Sequence, residues 1–468
     1  MFSLTLLPPI GVSLWYDDDT HVAFSIAFGI TLITGLLMWL PVHDLKQDLR
    51  TRDGFVVTSL FWLILGSFGA LPLIISPAPD LNVVDSIFES ISGLTTTGAT
   101  TIVGLDTLPP AILYYRQQLQ WFGGIGVIVI ALAILPMLGI GGMQLYKAEM
   151  PGPVKDTKLT PRIAETARAL IVIYIALTVL CGIGYWWAGM TAFDAVGHAF
   201  STVANGGFST HDASMGFYAN NNAIMAIAII FMLTAAINFG LHFYALGNRT
   251  LKHYWKDSEF RFYVLVTFFS SIIIIGYLYT SGTFNMKDSF LHGIFQVVSI
   301  GTTAGFASES FALWPAFLPY ILLLLGIMGA CAGSTSGGIK AVRVMLIVKS
   351  GLRELSRLVH PNAVVPIKVN KKIVPTRVTD AVWGFFAIYI LSFFILTIVV
   401  MATGENFVTS FSTVASCLSN IGPALGDAAS HYGEVNGVAK CFLILAMLMG
   451  RLEIFTLLVL LTPAFWRH

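Results

Sequence analysis

Charged side chains are scarce in this chain: 11% of its 468 residues are Asp, Glu, Lys or Arg, against 56% hydrophobic residues. That shortage excludes a soluble multidomain protein and indicates a polytopic membrane protein embedded in a lipid bilayer. A formal net charge of +1 gives no reason to expect nucleic acid as a partner. Cysteine is sparse as well. Cys181, Cys331, Cys417 and Cys441 lie scattered in or beside apolar segments, with neither zinc spacing nor a disulfide pattern, and read as small packing residues. There is no His-Glu-x-x-His run, no nucleophile elbow and no carboxylate pair, so nothing points to an enzyme. A cleavable signal is not expected either. The first apolar run, 2–15, has no basic flank, contains Pro8-Pro9 and is short for a span, which needs about 20 residues. It is expected to be the end of a helix whose beginning is missing.

Ten apolar segments are candidate spans: about 2–15, 21–41, 54–76, 111–140, 163–188, 222–247, 260–281, 316–348, 377–402 and 436–463. Lys and Arg are distributed between the connecting segments very unevenly. Segments 42–53, 141–162, 248–261 and 349–377 hold 3, 4, 4 and 7 of them, whereas the opposite-side segments hold only Lys287. By the positive-inside rule, the basic loops and both termini are cytoplasmic. The outward segments carry 14 Asp and Glu, including Asp85, Glu89, Asp194, Asp288 and Glu405. Such a mouth would concentrate cations, or it is simply what remains once basic residues are excluded.

Four shorter stretches, at about 83–97, 192–205, 287–303 and 405–420, are too short to cross and fit re-entrant half-helices. Each ends in a polar pair, one more residue and a glycine: Thr95-Thr96-Thr97-Gly98, Ala204-Asn205-Gly206-Gly207, Thr302-Thr303-Ala304-Gly305 and Ser419-Asn420-Ile421-Gly422. The final glycines are 109, 98 and 117 residues apart. A half-helix ending at mid-membrane points the negative end of its dipole at the centre, which favours a cation. Carbonyls of the following residues can then replace the cation's water, with glycine providing the backbone freedom and the space. Small residues also pack well between membrane helices, but that accounts poorly for four equivalent copies. After the N-terminal pair 1–53, the chain divides into units 54–162, 163–259, 260–376 and 377–468.

The strings TTTGATT, ANGGFST, TTAGFAS and SNIGPALG resemble the filters of the Trk/Ktr/HKT superfamily of potassium transporters. The likeness runs over nearly the whole chain and is nearest the TrkH type, since two extra N-terminal spans favour TrkH over KtrB. The resemblance implies an all-α membrane fold: four pseudo-symmetric M1–P–M2 units, channel-like, around one pore, plus an N-terminal two-helix segment. It implies a homodimer in a bacterial inner membrane and a potassium ion, as substrate, bound at Thr96, Thr97, Gly98, Asn205, Gly206, Gly207, Thr303, Ala304, Gly305, Asn420, Ile421 and Gly422. Related plant transporters that carry sodium have serine at the first filter glycine, so Gly98 favours potassium. A TrkA-like cytoplasmic ring with nucleotide-binding domains is the implied partner, since this chain has no nucleotide site. Segments 349–376 and 141–162 are its expected docking surfaces, unless they are ordinary positive-inside loops. Against the family, the first span looks truncated.

Two further features stand out inside the spans. Gly329 to Gly338 includes Gly333, Ser334, Thr335, Ser336, Gly337 and Gly338, followed by Lys340 and Arg343. So much Gly and Ser would break a helix in hydrocarbon, and irregular backbone there must line a cavity or be buried in protein. A phosphate loop is excluded because Gly338 is followed by Ile339-Lys340. The family counterpart of this stretch is a gating loop. Arg451, inside the last span, costs about 2.5–3.5 kcal/mol on insertion scales and so should face a polar interior. It is either an electrostatic barrier to cations, as the resemblance suggests, or half of a structural ion pair; Glu453 is two residues on and points elsewhere on a helix. Gly123-Gly124-Ile125-Gly126 reads as helix packing, and His198 and His292 as packed or hydrogen-bonded. A secondary symporter coupled to protons or sodium remains the alternative to a channel-like uptake protein, although inverted repeats would give two interrupted helices, not four half-helices.

Overall fold

The computed structural model describes residues 1–44, 51–129 and 159–467. The expected docking loop 141–162, the second half of the span 111–140 and part of the basic segment 42–53 therefore lie wholly or largely outside the described residues. Within them, the chain is built from helices, with one two-stranded hairpin. Five helices are long and apolar enough to cross a membrane: His21–Val42, Asp53–Ile75, Ala167–Trp187, Ser258–Thr280 and Thr376–Ala402. Their outer faces expose large apolar side chains such as Leu37, Phe268, Ile272, Ile395 and Ile398. Apolar surface on this scale is stable only against lipid or another protein.

Between these long helices lie four short ones: Val83–Leu94, Ala192–Ala204, Met286–Gly301 and Phe407–Ser419. At 12 to 16 residues they cannot cross a bilayer, and most of their residues are buried in protein. All four start the same way. The side chains of Asn82, Thr191, Asn285 and Asn406 accept from the backbone N–H three residues on, at Asp85, Asp194, Asp288 and Thr409. Capping of this kind fixes where each helix begins and is worth about 1 kcal/mol.

Three of the predicted spans are not continuous helices. The broken backbone expected at 329–338 is present: helix Leu318–Met328 stops, and helix Ala341–Val359 begins only after twelve irregular residues, 329–340. The stretches 222–247 and 436–463, expected as continuous, are broken as well. Helices Asn222–Ala235 and Phe239–Gly247 meet at 93°, because Asn238 caps the second by accepting from the Gly240 N–H at 2.8 Å. Helix Gly437–Arg451 ends before Phe455–Leu460. There Glu453 and Ile454 take positive φ of 56° and 23°, and the turn carries Glu453 to Arg343, 2.6 Å away.

The segment after helix Ala341–Val359 forms the hairpin, pairing Lys368 with Ile373 and Val369 with Lys372. Ile367 and Val369 pack with Val342, Met345 and Leu346 of that helix, so the hairpin is part of the body of the protein.

Candidate functional site

Each short helix closes in the same manner. The N–H of the residue before the glycine reaches back five positions to a serine carbonyl: Thr97 to Ser92 at 2.8 Å, Gly206 to Ser201 at 2.9 Å, Ala304 to Ser299 at 2.8 Å and Ile421 to Ser416 at 2.9 Å. The intervening Thr96, Asn205, Thr303 and Asn420 all sit in the left-handed region, with φ between 51° and 58°. Gly98, Gly207, Gly305 and Gly422 follow at φ of 79°, 81°, 77° and 101°. This six-to-one closure is a common way to end a helix with a left-handed residue. It uncovers a signal overlooked in the sequence, where the repeat begins with serine: Ser-x-x-x-Thr/Asn-x-Gly in all four copies.

The four loops then lean on one another in a closed circle. A Cβ on Gly98 would stand 1.9 Å from the Gly206 carbonyl oxygen, and one on Gly207 2.1 Å from that of Ala304. On Gly305 it would stand 2.2 Å from the Ile421 oxygen, and on Gly422 2.6 Å from the Thr97 oxygen. In every copy, therefore, the glycine is pressed against the carbonyl of the residue that precedes the next copy's glycine. The sequence candidates Thr97, Gly98, Gly206, Gly207, Ala304, Gly305, Ile421 and Gly422 come together in this ring. The C-terminal, electronegative ends of four helices lie at it.

Side chains hold the circle from outside. Gln120 donates to the Gly206 carbonyl at 2.6 Å and accepts from the Phe208 N–H at 3.1 Å. Asn420 bridges to Thr97 Oγ1 at 2.9 Å. Glu89 and Arg116, each 1% exposed, form a 2.7 Å ion pair that ties the first two copies. Glu89 accepts from the Thr101 N–H at 2.9 Å, and the Arg116 guanidinium lies 4.2 Å from the centroid of the Phe208 ring.

Directly beneath the ring lies the irregular segment 329–340. Asn205 donates to Thr335 Oγ1 and Ser336 Oγ at 3.1 and 3.2 Å. Thr303 Oγ1 accepts from the Gly337 N–H at 2.6 Å, and the Gly338 N–H donates to the Ser419 carbonyl at 2.8 Å. The Gly333 carbonyl accepts from the Phe239 N–H at 3.0 Å, which joins two of the broken spans. Arg451 joins the third by donating to the Thr335 carbonyl at 3.0 Å. Two further guanidinium nitrogens of Arg451, Nε and one Nη, are buried without a partner among the described residues. Among the described residues no carboxylate pairs with Arg451, and the nearby Glu453 is paired with Arg343. Lys340 donates to the Ser336 carbonyl. A cavity of about 60 Å³, bordered by Ser336, Gly337, Asn420, Lys340, Arg451 and Glu453, opens beside this segment.

Some of the acids in the segments expected to face outward are paired. Asp85 pairs with Lys440 at 2.6 Å and Glu89 with Arg116, so two of the five acids named from the sequence are neutralised. Farther out, Asp106 lies 2.6 Å from His211, whose hydrogen bond holds the Asp106 carboxyl below the usual carboxylate range. His198 and His292 are hydrogen-bonded, to Ser209 and Ser308 among others, as expected for packed histidines. Arg116, Lys440 and Glu259 were not singled out by motif, although a charged residue in an apolar helix is itself a signal. Among the described residues no group of three or more His, Cys, Asp or Glu is placed to hold a metal ion. A cation at the ring would meet backbone oxygens.

Comparison with known proteins agrees with this architecture. The family described as TrkH, cation transport protein, matches residues 20–467. The Trk system potassium uptake protein TrkH of Halomonas elongata is 54% identical over 469 residues, covering 100% of this chain and 97% of its own length. That of Escherichia coli is 52% identical over 473 residues, with the same coverage of 100% and 97%. The crystal structure of the potassium transporter TrkH from Vibrio parahaemolyticus superposes with a TM-score of 0.91 at 50% identity, covering 100% of this chain and 97% of that one.

Proposed function

The chain belongs to the TrkH family of cation transport proteins, and from that premise we propose that it takes up potassium through the glycine ring. The ring is the observation that carries the reading: four left-handed glycines, each without room for a Cβ against its neighbour's carbonyl. In this reading the four short helices are the re-entrant elements of four M1–P–M2 units. Potassium enters from the side bearing Asp106, sheds water at loop oxygens contributed by Thr96 to Gly98, Asn205 to Gly207, Thr303 to Gly305 and Asn420 to Gly422, and passes inward. The membrane potential drives it by about 2.3 kcal/mol per charge per 100 mV. Segment 329–340, with Gly333 to Gly338, is the gate, and Arg451 holds it closed while opposing cations electrostatically. The basic ends and both termini face the cytoplasm of a bacterium with this protein in its inner membrane.

The reading extends to a homodimer and to a TrkA-like nucleotide-binding ring that docks on segment 349–376 and the loop 141–162. No observation favours coupling to protons or sodium. The test is potassium against sodium flux in liposomes. Gly98→Ser adds a side chain where the Gly206 oxygen stands, which should widen the ring and lower the potassium preference by roughly tenfold, the equivalent of about 1.4 kcal/mol. An unchanged flux ratio in folded protein would remove the filter assignment.

A further inference from the structure

We infer that Glu259 is a positioning residue for segment 329–340, and that through it the basic hairpin at 367–374 sets where that segment sits beneath the glycine ring. The inference rests on the reading of that segment as the gate. Glu259 lies in the first turn of the membrane-length helix Ser258–Thr280 and is 2% exposed. A carboxylate at a helix start is favoured by the dipole, but this one is also aimed at another element. Its Oε1 accepts from the Ala332 N–H at 2.6 Å and from the Val342 N–H at 3.1 Å. Ala332 is near the start of the irregular stretch, and Val342 is in the first turn of the helix that resumes after it. One carboxylate oxygen thus draws the two ends of the stretch together, like a staple across a loop. Charge-assisted bonds to backbone N–H are among the stronger hydrogen bonds in proteins.

The two residues before Glu259 are held from the other side. Asn370, at the hairpin tip, accepts from the Ser258 N–H at 2.6 Å through its side-chain oxygen. Its own N–H donates to Ser258 Oγ at 3.1 Å, and its side-chain NH2 to Asp257 Oδ2 at 3.0 Å. Asn370 and Lys371 have φ of 48° and 67°, the pair of left-handed residues that a tight two-residue hairpin turn demands and that Asn tolerates. The hairpin is also fixed to the helix after the gate, where Lys349 donates to the Lys368 carbonyl at 2.8 Å. Moving the hairpin would therefore pull on 329–340 from both ends, through Glu259 on one side and helix Ala341–Val359 on the other.

The test uses the full chain in liposomes with Glu259→Ala, Glu259→Gln, Asn370→Ala and the Glu259→Ala/Asn370→Ala pair, with Arg451→Ala as control. Glu259→Ala leaves the Ala332 and Val342 N–H groups without their acceptor and should raise potassium flux about tenfold, while Glu259→Gln keeps an acceptor oxygen and should stay within about twofold of wild type. Asn370→Ala should raise flux about threefold, and the double variant should match Glu259→Ala alone instead of multiplying the two effects. The potassium-to-sodium ratio should stay fixed throughout. If Arg451→Ala opens the protein and Glu259→Ala, monodisperse and with wild-type Tm, does not, the positioning role is overturned while the gate reading stands. If neither variant raises flux, the gate reading itself has failed. A multiplicative double variant breaks the link to the hairpin.

Discussion

The ring and the segment below it are about one hydrogen bond apart, yet they are built on opposite principles. The ring repeats one device four times: an Asn or Thr cap, a serine-anchored closure, a left-handed Thr or Asn and a left-handed Gly. The layer beneath repeats nothing. One span bends sharply at Asn238, one is interrupted for twelve residues, and one turns at Glu453. The helix Pro110–Val129 shows no break within its described length. Recognition of a sphere is served by symmetry. On the proposed reading, control of a passage needs only one obstacle, the single segment 329–340.

That contrast can be broken experimentally, and the largest effect belongs to the ring. Gly207→Ala puts a Cβ 2.1 Å from the Ala304 oxygen at a φ of 81°. A left-handed L-residue costs roughly 1–2 kcal/mol before the clash is counted, so potassium flux should fall roughly a hundredfold and lose selectivity. Flux of potassium and sodium in the same liposomes would read both; wild-type behaviour would show that the contact circle is not the selective element.

Next comes the obstacle. Arg451→Ala removes both a charge and the bond to the Thr335 carbonyl. A hydrogen bond from a charged donor is worth about 1.5–3 kcal/mol, so basal flux should rise by roughly one to two orders of magnitude with the ion ratio unchanged. A fall in conductance would mean that the guanidinium supports the pore instead of opposing it.

The smallest effect lies at the boundary. Thr303 belongs to the ring's signature by position, yet its hydroxyl holds segment 329–340 by accepting from the Gly337 N–H. Thr303→Val removes that acceptor, worth about 1 kcal/mol, and should raise flux about fivefold at constant selectivity. A changed ion ratio would move Thr303 from the lower layer to the upper one.

How far the sequence reached follows the same division. The four short helices and their glycines were legible because a repeat supplies its own control: one Gly-ended loop means little, and four at matched places mean a great deal. The break at 329–338 was legible from glycine and serine at a depth where backbone needs partners. The breaks at 236–238 and 452–454 were not. Each is held by a distant partner: the Phe239 N–H donates to the Gly333 carbonyl, and Glu453 reaches Arg343, 110 positions away. Local hydropathy reads both stretches as continuous. The pairing of Asp85 and Glu89 was hidden in a related way, since their partners Lys440 and Arg116 lie inside apolar helices.

The circle of glycines has a further consequence. Because each loop rests on the one after it and the fourth rests on the first, there is no first stone. A change of size in any copy has to be absorbed by its neighbour and handed on until it returns to where it began. Four stretches separated by some hundred residues each therefore act as one part, in which the glycine is the same in every copy while the residue before it is Thr, Gly, Ala or Ile.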